Sequence, residues 1–193
     1  MRALIVHAHP DPDSFSAHLA ATVRTALDGA GHDHRTIDLY QEGFRAAMSE
    51  AEWRLHRATA DHKPWTDDHA DLLAWCDTIV WVYPTWWSGP PAILKGWVDR
   101  VWTNGVAYDH TDGGLVPGPL THVRSMVVVT THGSSRLVNM LEGDVGKKMI
   151  RRTLRALCGL RCRTTWLAMY RIDQSTARDR AKFIERVEKS MSI

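Results

Sequence analysis

Short apolar runs alternate with stretches of helical spacing along the whole chain, and this alternation limits the fold more than any single motif. The runs at residues 2–8, 78–83, 124–130 and 163–169 are too short for buried helices and read as strands, and residues 34–39 read as a short second strand. Between them, residues 14–29, 49–56, 67–75, 91–102, 147–157 and 176–191 carry helical patterns. In the first helix Phe15, Leu19, Val23 and Leu27 share a stripe, Asp13 or Ser14 can cap the start, and glycines at 29 and 31 stop it. Pro91 suits the first turn of its helix. Residues 104–121 hold Gly and Pro without a period and read as a long loop, and the stretch around Pro64 is also loose. Regular alternation of strand and helix predicts a mostly parallel sheet covered on both faces.

Five strands in this pattern suit an α/β, flavodoxin-like three-layer sandwich with strand order 2-1-3-4-5, as a single domain over residues 1–193. Composition agrees: 44% of residues are apolar and 24% charged, ordinary for a globular domain. Lys and Arg total 24 against 22 Asp and Glu, so charge makes no case for nucleic acid or an anionic membrane. No apolar run reaches the length of a membrane span, and the start reads as a first strand, not a signal peptide. Three cysteines, Cys76, Cys158 and Cys162, do not make a disulfide framework, and reduced thiols in the cytoplasm are the expectation. No metal site is expected. The pairs His7 with His9 and His32 with His34 lack a third ligand, and Cys158 with Cys162 lacks a second pair.

In sheets of this kind ligands bind beyond the carboxyl ends of the strands, where strand order reverses. That singles out three loops. The first, residues 9–16, joins strand to helix and offers helix N–H groups, the hydroxyls of Ser14 and Ser16 and the ring of His9 to a phosphate. Asp11 and Asp13 oppose this unless they turn to solvent; an ordinary capped turn is the plainer reading. The second, residues 84–91, sets Trp86 and Trp87 between strand and helix, one able to pack inward and the other to wall a cleft. The third, residues 130–135, has Gly and hydroxyl residues suited to the polar edge of a ring. Ser134 and Ser135 lack the pattern of a hydrolase elbow, which leaves a serine hydrolase a weak reading. Arg151, Arg152, Arg155, Arg161 and Arg163 read as a solvated basic face, with an acidic partner or an NADPH phosphate as rarer occupants.

Taken together, the loops resemble the flavin-dependent NAD(P)H:quinone oxidoreductases, the DT-diaphorase-like family. The closest stretch is a Pro-x-x-Trp-x-Gly-x-Pro-Ala-Ile-Leu-Lys-Gly-Trp pattern from Pro84 to Trp97, followed by Asp99-Arg100-Val101 and Val106-Ala107-Tyr108. Residues 3–6 with Ala8, His9, Ser14 and Phe15, then residues 38–40 and 130–134, match in kind and order. The resemblance implies that His9, Ser14, Phe15 and Ser16 meet the flavin's phosphates. It puts Pro84, Thr85, Trp86, Trp87 and Ser88 along the isoalloxazine ring and Thr130, Thr131, His132 and Gly133 at its pyrimidine edge. Arg180 falls where FAD-binding members place an arginine near adenine, which leans towards FAD over FMN.

Trp87, Tyr108 and His132 are the implied catalytic positions, the first two as walls for flat rings. Tyr108 and His110 fall in a loop that reaches the partner subunit in the family, so a homodimer with interface sites is implied. The implied reaction is two-electron reduction of a quinone, or of an azo or nitro compound, by NAD(P)H. It proceeds in alternating half-reactions, with hydride passing through flavin N5. The chain departs from the family where the mammalian enzymes carry a Tyr and a His, here matched to Asn139 and Val145; charge on a reduced flavin then falls to backbone N–H groups or to His132. The rival implication is a flavin-binding ancillary subunit of a potassium-efflux system.

Overall fold

The strands β1 (Arg2–His7), β2 (Asp33–Asp38), β3 (Thr78–Thr85), β6 (Ser125–His132) and β7 (Arg163–Met169) form one parallel sheet in the order β2-β1-β3-β6-β7. Counted among themselves these five strands have the expected order 2-1-3-4-5. The computed structural model describes residues 1–56, 66–111 and 114–192, and the side chains of residues 110–117 lie outside that description. The stretch around Pro64 and the side chain of His110 are therefore outside the described residues.

Alternate strand residues feed two cores. Leu4, Val6, Ile79, Trp81, Tyr83, Met126 and Val128 face one side, against α3 (Asp67–Trp75), α4 (Ala92–Val101) and the helical run after residue 145. Ile5, Val80, Val82, Val127 and Val129 face the other, against α1 (Phe15–Gly29) and α8 (Ala177–Met191). The three central strands β1, β3 and β6 are buried on both faces, which is why they read as continuous apolar runs, whereas the edge strands β2 and β7 alternate more buried with exposed positions. Much of the tryptophan excess is structural. Trp81 meets Trp97 edge-on at 5.6 Å and Trp102 at 6.0 Å.

The helix ends follow local chemistry. Ser14 Oγ accepts from the Ala17 amide to cap α1, and Thr176 with Asp179 forms a capping box on α8. Phe183, Val187 and Met191, spaced by four, are the face of α8 that packs inward. The short helix α2 (Glu50–His56) is tied to α4 by the buried Arg100, whose Nε donates to Glu52 at 2.6 Å while another guanidinium nitrogen donates to the Arg45 carbonyl. Burial alone would raise the Glu52 carboxyl, but hydrogen bonds from Ser49 and Arg100 outweigh it and hold the group below its ordinary range. Gly96, within α4, lies so close to the loop beside it that a Cβ would stand 2.3 Å from the Ala46 carbonyl oxygen.

Three segments differ from expectation. Residues 104–121 are not a plain loop: β4 (Tyr108–Thr111) and β5 (Gly114–Pro117) pair antiparallel, and a 3₁₀ turn follows at Pro119–His122. Strands of four residues are too short to show a period, and Gly118 permits the close return, since a Cβ there would meet Tyr108 Cα at 2.6 Å. A further helix, α5 (Arg136–Leu141), is capped by Ser135. The helix expected from residue 147 starts at Val145 and is α6 (Val145–Lys148), a π stretch (Met149–Leu154) and α7 (Arg155–Leu157) in succession. Among the described residues no helix is long and apolar enough to cross a membrane.

Candidate functional site

The carboxyl ends of β3 and β6 lie side by side, with Thr85 paired to His132. Beyond them opens a cleft of about 780 Å³, within the range of cofactor sites. Pro84, Thr85, Trp86, Trp87 and Ser88 form one wall. Thr131, His132, Gly133 and Ser134 form the other. Second- and third-loop residues expected to share a site therefore do so, except Thr130. That side chain is buried just below, within 2.9 Å of the Thr85 hydroxyl.

The first wall is a two-residue turn. Trp86 and Gly89 exchange both backbone hydrogen bonds at 3.0 Å, so Trp87 and Ser88 occupy the central positions at φ of 46° and 59°. This left-handed conformation is unusual for side-chain-bearing residues, and such strain concentrates at functional sites. Such a turn leaves the amides of its two central residues outside its own hydrogen-bond pair. Neither tryptophan packs inward, contrary to expectation: Trp86 is 42% exposed and Trp87 wholly exposed, because the turn stands clear of the sheet.

The second wall is held by a buried polar chain. Asn139 Nδ2 donates to the Ser135 carbonyl at 2.9 Å and to Ser134 Oγ at 2.6 Å, which turns Oδ1 towards His132. His132 Nδ1 stands 2.7 Å from that oxygen and so carries the ring proton, leaving Nε2 as an acceptor near the Thr85 hydroxyl at 3.4 Å. The imidazole also stacks on Tyr170, with centroids 4.6 Å apart. Burial pushes His132 below the ordinary histidine range, against the opposing effects of the Asn139 hydrogen bond and of Asp144 and Glu142. His132 is therefore neutral, with its N–H committed to Asn139 instead of being offered to the cleft.

The first loop lies next to this cleft, with the His9 ring 6.1 Å from Trp86. His9 Nδ1 lies 3.0 Å from the Asp11 amide and 3.1 Å from the Asp11 carbonyl; in the tautomer that accepts from the amide, Nε2 carries the ring proton. Asp11 and Asp13 are exposed, and Asp11 Oδ1 accepts from the Asp13 amide at 2.9 Å, which removes the objection they raised. Ser14 is spent on its cap, but the amides of the first helical residues, Phe15 and Ser16, precede the first intrahelical acceptor. Ser16 Oγ is buried with no hydrogen-bond partner. An unused hydroxyl beside unused helix amides fits a phosphate.

Other expected residues fall elsewhere. Tyr108 is on β4, packed against the larger core and not in the cleft. Arg180 is exposed on the first turn of α8, where its Nε donates to Ser175 Oγ at 3.0 Å. Val145 is exposed and away from the cleft lining, whereas Asn139 is in it. Sequence reasoning missed Glu142, Ile172 and Asp173. The Ser88 hydroxyl donates to the Glu142 carboxylate, and Asp173 lies so near Gly133 that a Cβ there would stand 3.1 Å from its Oδ2. No local pattern marks these residues, since each enters from a loop or helix end brought in by the fold. His7 and His34, considered as metal ligands, each bond a carboxylate instead, Asp38 and Asp28.

A strand-order reversal with a cleft at the strands' carboxyl ends defines a flavodoxin-type α/β protein. A family model described as flavodoxin-like fold matches residues 1–191, and the chain belongs to that family. It is 32% identical over 155 residues to a ribosyldihydronicotinamide dehydrogenase-like protein of Penicillium crustosum, covering 69% of this chain and 58% of that protein. It is 30% identical over 155 residues to the ribosyldihydronicotinamide dehydrogenase [quinone] of Pongo abelii, covering 70% and 65%. The chain thus spans less than two thirds of the length of these curated relatives. Among solved structures, an NAD(P)H:quinone oxidoreductase from Methanothermobacter marburgensis superimposes with a TM-score of 0.86 at 25% identity, over 100% of this chain and 98% of that one. An azoreductase from Bacillus anthracis shares the fold, with a TM-score of 0.78 at 15% identity over 100% and 99%.

Proposed function

We propose that this chain is an NAD(P)H-dependent flavin oxidoreductase that reduces quinones by two electrons, with azo or nitro compounds as further acceptors. The observation that carries this reading is the cleft between the Trp86–Trp87 turn and the His132 wall, open beside the unused helix amides of α1. Its volume, flat aromatic rim and adjacent anion-seeking helix start suit a phosphorylated, planar cofactor. The quinone-dehydrogenase names of the relatives support this oxidoreductase reading over an ancillary transport subunit.

A bound flavin would supply the two-electron exchange between nicotinamide and acceptor. The chain's own part is to position and to exclude. Ser16 and the amides of Phe15 and Ser16 would hold phosphate, with His9 Nε2–H as a further donor. Trp86 and Trp87 would hold flat rings parallel to the wall, and the amides of Trp87 and Ser88 would reach polar ring atoms. His132, neutral and anchored, would present no cation to the ring, so developing negative charge there would be met by backbone N–H groups. The cofactor is read as FAD, with FMN the alternative, and Arg180 would have to exchange its Ser175 contact to reach an adenine.

The proposed assembly is a homodimer with sites at the interface, in the cytoplasm. Leu137, Met140 and Leu141, at i, i+3 and i+4 of α5, are exposed, as is Trp87, and the two segments are joined where Ser88 donates to Glu142. An apolar ridge adjoining a cleft wall is what a subunit interface would cover. The test is to purify the protein, denature it, chromatograph the released cofactor beside FAD and FMN, and assay quinone-dependent NAD(P)H oxidation. Released flavin with turnover is expected. No flavin after incubation with both would overturn the proposal, and FMN alone would overturn the FAD assignment.

A further inference from the structure

The basic stretch at residues 151–163 folds into a depression at the far end of the sheet. Arg151, Arg155, Arg161 and Arg163 line a cavity of about 720 Å³ with Thr164, and Leu160 stands at its lip, 92% exposed. No carboxylate lines it. Among the described residues none of these four arginines, nor Arg152, has an ion pair, although Arg2, Arg54 and Arg100 each have one. Arg151, Arg161 and Arg163 are exposed and Arg155 is half-buried, so the cluster stands as a solvated positive surface open to an external anion.

Two of the arginines are fixed in place. Arg155 donates to the Leu160 carbonyl at 3.0 Å and to the Cys162 carbonyl at 2.7 Å, which ties the turn that carries Arg161 and Arg163. Arg151 donates through Nε to Thr164 Oγ1 at 3.1 Å, which holds its guanidinium over the depression and leaves its terminal nitrogens uncommitted. Arg151 and Arg152 lie in the π stretch Met149–Leu154, a helix form that is rare and recurs at functional sites.

The depression sits where β7 begins, whereas the cleft receives Ile172 and Asp173 from beyond its end. Seven strand residues at about 3.3 Å each separate the two by roughly 20 Å. The arginines are thus no part of the cleft, and an NADPH phosphate bound at that cleft does not account for them.

We propose that this depression is a second binding site, for an anion that carries a diphosphate or paired phosphate groups. Planar guanidinium forks match phosphate oxygens in pairs; with Arg155 committed to the turn, Arg151, Arg161 and Arg163 spread around so wide a depression exceed what one monophosphate can engage. The same chemistry can come from a free phosphorylated metabolite or from a phosphate-bearing lipid headgroup. The exposed Leu160 matters only for the second source, as an apolar contact with acyl chains.

The test is calorimetric titration of the purified full chain with pyrophosphate at low and at physiological salt. Sedimentation with vesicles of cardiolipin, whose headgroup carries two phosphates, in phosphatidylcholine, against phosphatidylcholine alone, forms the second arm. Arg151→Ala and Arg163→Ala are compared with Arg186→Ala, which removes the same charge from the exposed face of α8. The expected result is saturable pyrophosphate binding, weakened at least tenfold by Arg163→Ala or Arg151→Ala and little by Arg186→Ala. Vesicle binding lost in Leu160→Ser, with pyrophosphate binding kept, would assign the lipid source; pyrophosphate binding without vesicle binding would assign the free anion. The proposal is overturned if neither probe binds, or if Arg186→Ala weakens binding as much as Arg163→Ala. Circular dichroism of each variant separates a lost site from a lost fold.

Discussion

At the residue scale the cleft depends on His132 and the amide that orients it. Asn139 is buried and uses both ends of its side chain, so Asn139→Ala would leave the His132 N–H without its acceptor, while the Ser135 carbonyl would keep the backbone amide of residue 139. Burial keeps the folded imidazole neutral below the pH at which the unfolded one charges. Between the lowered folded value and about 6.5 the unfolded chain therefore binds more protons, and stability falls as pH drops through that window. Thermal melts from pH 7 to pH 5 should fall more steeply for the natural chain than for His132→Asn. Parallel curves would mean that His132 charges in the fold. The sequence showed His132 in the right loop, and the resemblance offered it as a group to meet negative charge. What could not be read was Asn139, seven positions on, which takes up its only N–H.

At the scale of elements, α4 shows how a sequence signal and its cause can be separated. Gly96 belongs to the long pattern from Pro84 to Trp97, yet nothing local explains a glycine inside a helix, where it costs roughly 0.5–1 kcal/mol relative to alanine. The reason is tertiary: the Ala46 backbone occupies the space a Cβ would need. Gly96→Ala should therefore destabilise, by about 1–3 kcal/mol in urea denaturation, because the clash outweighs the gain in helix propensity. Unchanged or increased stability would mean that α4 is not seated on that loop. The helix α5 gives the opposite case. Its apolar residues point to solvent, so a reading that looks for a buried stripe passes over it despite the Ser135 cap.

At the scale of the whole molecule the exposed ridge of α5 and the exposed Trp87 belong to one argument. A single copy leaves Trp87 in its cleft wall and the apolar side chains of the adjoining α5 exposed, and a second copy would cover them. Sedimentation should give about twice 21.8 kDa for the natural chain and the monomer mass for Leu141→Asp. A monomeric natural chain at micromolar concentration would remove the interface from the proposal. The five strands of the parallel sheet and their order were legible in the sequence, because strands buried on both faces, as β1, β3 and β6 are, must be continuous apolar runs and parallel strands require helical crossovers; the short β4–β5 hairpin was not. The sequence by itself thus determined the layered α/β architecture and which loops would meet at its carboxyl edge. Only the tertiary structure decided which side chains complete the cleft, bringing in Asn139, Glu142 and Asp173 and leaving Tyr108 and Arg180 outside its lining. It also decided that the arginines at 151–163 gather around one depression at the other end of the sheet. Periodicity along a chain records which face of an element is buried; the meeting of side chains from distant segments is set by how the elements pack, and leaves no local trace.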